Sequence, residues 1–274
     1  MSSTDRPVTE TAISVRGLTK RYGDRVILQN LDLDVYAGET LVILGGSGSG
    51  KSTLLRCLVG LERPEEGEVN LLGTNLFRAD REAMAKARQR MGMAFQGSAL
   101  FGSLSVAENV DLPLREYTTL PESTRRIIVQ IKLALVGLEG AADRLPSELS
   151  GGMQKRAAFA RAMALDPALL FCDEPSAGLD PVTAASLDRL LMQLQEVFGI
   201  TLVVVTHEMD SAFAIADRLA LMHRGRFLVT GSPDEVRASE HPVVRQFLDR
   251  VPEEEHHGPE RYRQLIKTWE EHDH

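Results

Sequence analysis

Gly45-Gly46-Ser47-Gly48-Ser49-Gly50-Lys51-Ser52-Thr53 is the stretch from which the rest of the chain is read. A β-type apolar run, Leu41-Val42-Ile43-Leu44, leads into it, and a helical pattern, Leu54-Leu55-Arg56-Cys57-Leu58, follows. Strand, glycine loop and helix match G-x-x-x-x-G-K-[ST] in the context that the motif needs. Glycines let the backbone turn in ways closed to other residues and bring its N–H groups close to an anion. The helix that starts at the loop aims free N–H groups and a positive dipole end at the same point. Lys51 is placed for β- and γ-phosphates, and the Ser52 hydroxyl for Mg²⁺. A flexible glycine-serine turn would need none of these companions. The loop implies binding of a nucleoside triphosphate.

The chain has 274 residues, 43% hydrophobic and 26% charged, an ordinary globular balance for one large domain. No apolar stretch approaches the ~18–20 residues that cross a bilayer. Met1 to Thr11 is polar, without a signal-peptide core, and reads as a disordered lead. These features predict a cytoplasmic protein whose membrane role comes through partners. The formal charge of −8 argues against a general nucleic-acid binder. Half of that charge lies from Pro252 onward, with seven acids against three bases. The two cysteines, Cys57 and Cys172, make no disulfide framework and read as buried small hydrophobes.

Alternating apolar and polar residues predict strands at Ile13 to Leu18 and Ile27 to Val35, with Tyr22 between them beside Gly23. Glu68 to Gly73 resumes a strand, Arg81 to Arg90 is a solvated helix, and Met91 to Phe95 is a short strand ending at Gln96. The pattern then turns helical: Val106 to Tyr117, Ser123 to Val136, and Gly151 to Leu165. A helical block inside an α/β pattern predicts an inserted subdomain, at about residues 97–165. Pro113 is expected to kink or end its helix, and Pro121 to start the next. Leu169-Leu170-Phe171-Cys172 returns to a buried parallel strand, followed by helix Pro181 to Phe198 and strand Leu202 to Val205. Leu219 to Met222 and Arg226 to Val229 flank Arg224-Gly225 as a hairpin, and helices at Asp234 to Ser239 and Val243 to Arg250 close the body. In the tail, Tyr262, Leu265, Ile266 and Trp269 share one helical face, suited to docking on another protomer or on the chain's own core.

Apolar strands ending in acid deliver charge to a ligand at the carboxyl edge of a sheet. Asp173 ends one, as a direct or indirect partner of Mg²⁺, and Glu174 follows where a carboxylate can polarise an attacking water. Ser150-Gly151-Gly152 opens a helix and makes a second anion site.

With these residues in place, the chain resembles the ATP-binding-cassette ATPases over about residues 13–250. Leu149-Ser150-Gly151-Gly152-Met153-Gln154 is similar to the family's signature sequence, Gln96 to its Q-loop, and Ser176-Ala177-Gly178-Leu179-Asp180 to its D-loop. His207 falls at the switch histidine and Tyr22 at the aromatic that stacks on adenine. The resemblance implies an α/β core with a RecA-like parallel sheet and an N-terminal antiparallel subdomain over residues 12–251, with 252–274 as an acidic extension. It implies ATP and Mg²⁺ as cofactors, with Ser52, Gln96 and Asp173 at the metal. It implies Glu174 as base, with His207 holding the γ-phosphate and water. It also implies a head-to-tail homodimer in which Ser150 to Gly152 of one copy close over the ATP of the other, with Asp180 among the nucleotide-binding residues. Gln96 would then couple Mg²⁺ to rotation of the helical subdomain. Gly46 stands where proline is common, a change harmless to phosphate binding that alters loop stiffness.

Phe95 to Phe101, Glu108 to Glu116, Leu120-Pro121, Pro146 to Met153 and Val244 to Asp249 further resemble the ATPase subunit of Mla-type phospholipid transporters. That resemblance implies work at the cytoplasmic face of the inner membrane, in maintaining outer-membrane lipid asymmetry. The implied partners are permeases, an MCE-domain lipid-binding protein and a small STAS-domain subunit. An importer of polar amino acids or similar solutes would share every catalytic motif. A soluble cassette acting on ribosomes or DNA typically carries two cassettes or a coiled-coil insert, neither of which is present.

Overall fold

The computed structural model describes residues 10–251. The sequence lead up to residue 9 and the tail of 252–274, with its Tyr262–Trp269 face, lie outside the described residues. In chain order the elements begin with β1 (Thr11–Tyr22), β2 (Arg25–Tyr36), β3 (Thr40–Leu44), α1 (Lys51–Leu58), β4 (Glu66–Leu71), β5 (Thr74–Asn75), α2 (Arg81–Gln89) and β6 (Met91–Ala94). Then come α3 (Val106–Tyr117), α4 (Glu122–Leu135), α5 (Gly151–Ala162), β7 (Leu169–Asp173), α6 (Pro181–Phe198) and β8 (Thr201–Thr206). The body closes with α7 (Met209–Ile215), β9 (Arg218–His223), β10 (Arg226–Gly231), α8 (Pro233–Arg237) and α9 (Pro242–Leu248).

Strands β2-β1-β4-β5 form an antiparallel sheet, and β10-β9-β3-β8-β7-β6 a second sheet, parallel except at the β10 edge. Side chains on a strand alternate between faces. That period splits the apolar runs between two cores. Leu41, Ile43, Leu169, Phe171, Val203 and Val205 face α1 and the antiparallel sheet. Their neighbours Val42, Leu44, Leu170, Cys172, Leu202 and Val204 face the other core, which holds Phe159 of α5 and Leu191 of α6. A strand buried on both faces has no polar position to offer, so these runs read as unbroken hydrophobics. The same core extends to Val110 of α3 and Leu133 of α4, so the helical insertion is continuous with it.

Both thiols are free and buried, Cys57 in one core and Cys172 in the other. Burial pushes the Cys57 thiol up to about 12 and raises that of Cys172, so both stay protonated and inert. Among the described residues no helix is long and apolar enough to cross a membrane.

Of the two outcomes expected at Pro113, an end to the helix is excluded, since α3 runs through it to Tyr117. A proline forfeits one backbone bond, while Ser105 and Glu108 close a capping box at the helix start and Val106, Val110 and Leu114 anchor its buried face. Pro121 is the residue before α4 and not its first turn. Thr11 already belongs to β1, so the lead is shorter by one residue. The short strand β5 and the helix α7 carry too few residues for a periodic signal and were not anticipated from the sequence.

Candidate active site

Residues 45–50 link the end of β3 to the start of α1. Gly50 caps α1 in the left-handed region at φ +110°, and Gly48 sits at φ +74°. A Cβ on Gly45 would fall 2.3 Å from the Met222 carbonyl oxygen, so only glycine fits there. Gly46 has nothing within 4 Å and would accept a side chain. The hairpin between β9 and β10 supports the loop from behind, the Gly225 N–H donating to the Ser49 carbonyl at 2.9 Å. No side chain caps α1 and no acid lies in its first turn, leaving its N–H groups and dipole for an anion.

Lys51 folds over this loop, its Nζ donating to the carbonyls of Gly45 at 2.8 Å and Gly46 at 3.0 Å. Burial lowers its pKa, and the nearby carboxylates of Glu174 and Asp173 oppose that shift. Ser47 and Ser52 are exposed at the loop, whereas the Ser49 hydroxyl is buried without a partner. Asp173, at the end of β7, has a buried Oδ1 that no donor reaches. Burial raises its pKa first and the Glu174 charge second, against Arg56, Lys51 and Lys155. An orphaned carboxylate oxygen beside a cationic phosphate loop fits a divalent cation. Among the described residues no cluster of three or more acids, histidines or cysteines could hold a metal by itself. That suits Mg²⁺, which takes few protein ligands and completes its shell with phosphate oxygens and water.

Glu174 is 8% exposed and adopts φ +47°, a conformation that non-glycine residues avoid. Its N–H donates to the Val205 carbonyl at 2.8 Å. Its Oε2 accepts from the Thr206 hydroxyl at 3.0 Å and the His207 N–H at 3.3 Å, and its Oε1 lies 2.9 Å from His207 Nδ1. The neighbouring strands β7 and β8 therefore bring Glu174 and His207 into one hydrogen-bonded group, 33 residues apart in sequence. This arrangement can polarise a water beside a bound phosphate.

Tyr22, at the end of β1, is half exposed; its hydroxyl donates to Glu62 and its ring lies 5.4 Å from Lys20 Nζ. An open aromatic face of this kind can take a planar base. Gln96 is exposed just after β6. Ser150 caps α5, its Oγ accepting from the Met153 N–H at 3.3 Å, and Gly151 is exposed beside it. Gly152 has no room for a side chain, since a Cβ would meet Thr183 Cγ2 at 2.7 Å. Asp180 stands at the start of α6. Its carboxylate caps α6, accepting from the N–H groups of Val182 and Thr183 at 3.0 Å and from the Thr183 hydroxyl at 2.5 Å. Those bonds hold its pKa below the ordinary value.

Sequence reasoning missed Thr206, Lys155 and Asn109. Thr206 is polar at the end of an apolar strand and looks like a boundary residue. Lys155 lies one helical turn before buried Phe159, the one signal that it faces inward. Asn109 is fully buried in α3 and ties the 101–105 segment through its amide to the carbonyls of Phe101, Leu104 and Ser105 and the N–H of Phe101.

The ABC transporter family profile matches residues 28–177. The chain is 41% identical over 256 residues to the "Intermembrane phospholipid transport system ATP-binding protein MlaF" of Haemophilus influenzae, covering 93% of this chain and 96% of that one. The Escherichia coli K12 protein of the same name is 42% identical over 87% of this chain and 89% of its own length. The Mycobacterium leprae "Probable ribonucleotide transport ATP-binding protein mkl" is 43% identical over 87% of this chain and 69% of that relative. Among solved structures, the dimeric post-hydrolysis ATP-binding cassette MJ0796 bound to ADP and Pi superposes with a TM-score of 0.74 at 34% identity, covering 81% of this chain and 98% of that one. The cbiO1 subunit of the Clostridium perfringens ABC transporter complex cbiONQ gives 0.77 at 32% identity, covering 89% and 97%.

Proposed function

The chain belongs to the ABC transporter family as an ATPase subunit, and within that family we propose that it drives the movement of phospholipid between membranes. The single observation that carries the catalytic part is the Glu174 carboxylate, held by Thr206 and His207 beside the Lys51 loop. Likeness to the MlaF proteins over nearly their whole length supports the lipid assignment above that of the mycobacterial relatives, of which about two thirds is matched.

In this reading Tyr22 stacks on adenine, and the N–H groups of residues 45–53 with Lys51 hold the phosphates. Ser52, Asp173 and Gln96 would hold Mg²⁺, which would supply positive charge against the phosphates. Glu174 accepts a proton from the attacking water, and His207 orients that water and the γ-phosphate. Ser150 to Gly152 face the phosphate loop of a second copy, an assignment supported by their exposure at a helix N-terminus and by the dimeric structural relative. Asp180 then serves the interface by fixing the start of α6.

A groove of about 670 Å³ lined by Phe95, Phe101, Pro113, Tyr117 and Arg161 lies between the Gln96 segment and α3. Its exposed aromatic rings suit a membrane subunit, which would place the chain peripherally at the cytoplasmic face of the inner membrane. An MCE-domain protein and a STAS-domain subunit complete the proposed complex. Affinity purification of the full chain from detergent-solubilised membranes tests this. Co-purified permease with bound phospholipid is the expected result; a soluble small-solute receptor in place of an MCE protein would reassign the chain to solute import.

A further inference from the structure

We propose that Lys155 is a positioning residue for hydrolysis: its buried ammonium pins the Gln96 and Glu174 carbonyls to α5. The inference rests on the reading of Glu174 as base. Lys155 is 7% exposed, and its Nζ donates to the Gln96 carbonyl and, at 3.2 Å, to the Glu174 carbonyl. Among the described residues no carboxylate is hydrogen-bonded to this ammonium; Asp173 and Glu174 act on it only through space, and burial lowers its pKa. Burying a cation with no hydrogen-bonded counter-ion is costly, and a neutral side chain would serve packing better. The position therefore answers to the two carbonyls.

Both of those carbonyls belong to segments that need holding. Glu174 sits at φ +47°, a strained state that persists only where the surroundings over-determine it. Ser98 and Ala99, just after Gln96, are at φ +61° and +50°, and Arg161 of the same helix donates to their carbonyls at 3.0 and 2.7 Å. One helix thus grips the Gln96 segment at three carbonyls and the base at one. Its N-terminus is Ser150-Gly151-Gly152, and Lys155 lies five residues from that cap, roughly 7.5 Å of helical rise. A displacement of that N-terminus reaches the backbone of Glu174 through one rigid element and one side chain.

The test uses the full chain and the variants Lys155→Met and Lys155→Arg, with Glu174→Gln beside them. Equilibrium ATP binding, kcat, KM and melting temperature are measured for each. Lys155→Met is expected to bind ATP within about two-fold of wild type while kcat falls about 100-fold, as misplacing a catalytic group by an ångström does. Lys155→Arg, which keeps charge and donors, is expected to recover part of that loss. Wild-type turnover in Lys155→Met overturns the proposal, as does a loss of ATP affinity equal to the loss of kcat, which marks a residue that only supports the fold. Should Lys155→Met fail to fold, Lys155→Gln takes its place: its shorter, neutral amide cannot span both carbonyls, so wild-type kcat there overturns the proposal equally. Full turnover in Glu174→Gln would instead remove the base assignment, independently of Lys155.

Discussion

The Nδ1 atom of His207 lies 2.9 Å from Oε1 of Glu174, while the His207 N–H donates to Oε2 of the same carboxylate at 3.3 Å. The proposed base is thus oriented by the residue proposed to hold the γ-phosphate. Glu174→Gln keeps the shape and loses the proton acceptor. It is expected to bind ATP normally, lose about 10²–10⁴-fold in turnover and accumulate as an ATP-bound dimer. Steady-state hydrolysis and size-exclusion chromatography measure both; unchanged hydrolysis removes Glu174 as base.

Burial holds the Asp173 pKa above its ordinary 3.8. The folded chain therefore keeps this proton to higher pH than the unfolded chain does. The stabilising contribution is complete below the unfolded value and lost as pH rises through the folded one. At neutral pH the ionised carboxylate accordingly destabilises the nucleotide-free chain. Asp173→Asn is expected to raise its melting temperature near neutrality, with the gain shrinking towards pH 3.8. The same variant should lose the extra stabilisation that Mg²⁺ adds to ATP. A lower melting temperature at neutral pH would contradict the sign.

Gly45 and Gly46 are neighbours with opposite tolerances. A Cβ at Gly45 would press on the Met222 backbone at 2.3 Å, whereas Gly46 opens on free space. Gly45→Ala is expected to cost about 1–3 kcal/mol of stability and to abolish ATP binding, as overpacked positions do. Gly46→Ala should leave both near wild type. Equal losses in denaturant unfolding would refute the distinction.

The exposed Tyr22 ring separates stacking from hydrogen bonding. Tyr22→Ala should weaken ATP binding about three- to ten-fold, the worth of one aromatic contact. Tyr22→Phe loses the hydroxyl and its bond to Glu62 but keeps the ring, and should bind as wild type does. A defect in the phenylalanine variant would shift the role to the hydroxyl.

Asn109 is expected to be structural at the groove. Asn109→Leu strands the Phe101 N–H and the Leu104 carbonyl, while the Phe101 and Ser105 carbonyls keep their backbone donors, and should cost about 2–3 kcal/mol. Denaturant midpoints measure it, and a neutral outcome would mean that the 101–105 segment is held by other contacts.

The phosphate loop, the strand-end acids Asp173 and Glu174 and the helix-opening Ser150 to Gly152 were legible in the sequence because each motif is local. Their chemistry depends on residues within a few positions, and a strand-loop-helix transition announces itself by a change of period. The ranges of α3 and α6 were equally legible, since capping residues and apolar spacing mark both ends. What only the tertiary structure decided is how distant segments hold these local motifs. The hairpin at Gly225 supports the loop at Ser49, Thr206 and His207 fix the Glu174 carboxylate, and Lys155 grips two carbonyls at once. Hydrogen bonds between residues tens of positions apart leave no periodic trace in the chain. They exist only once the sheet order places β3, β8 and β7 side by side.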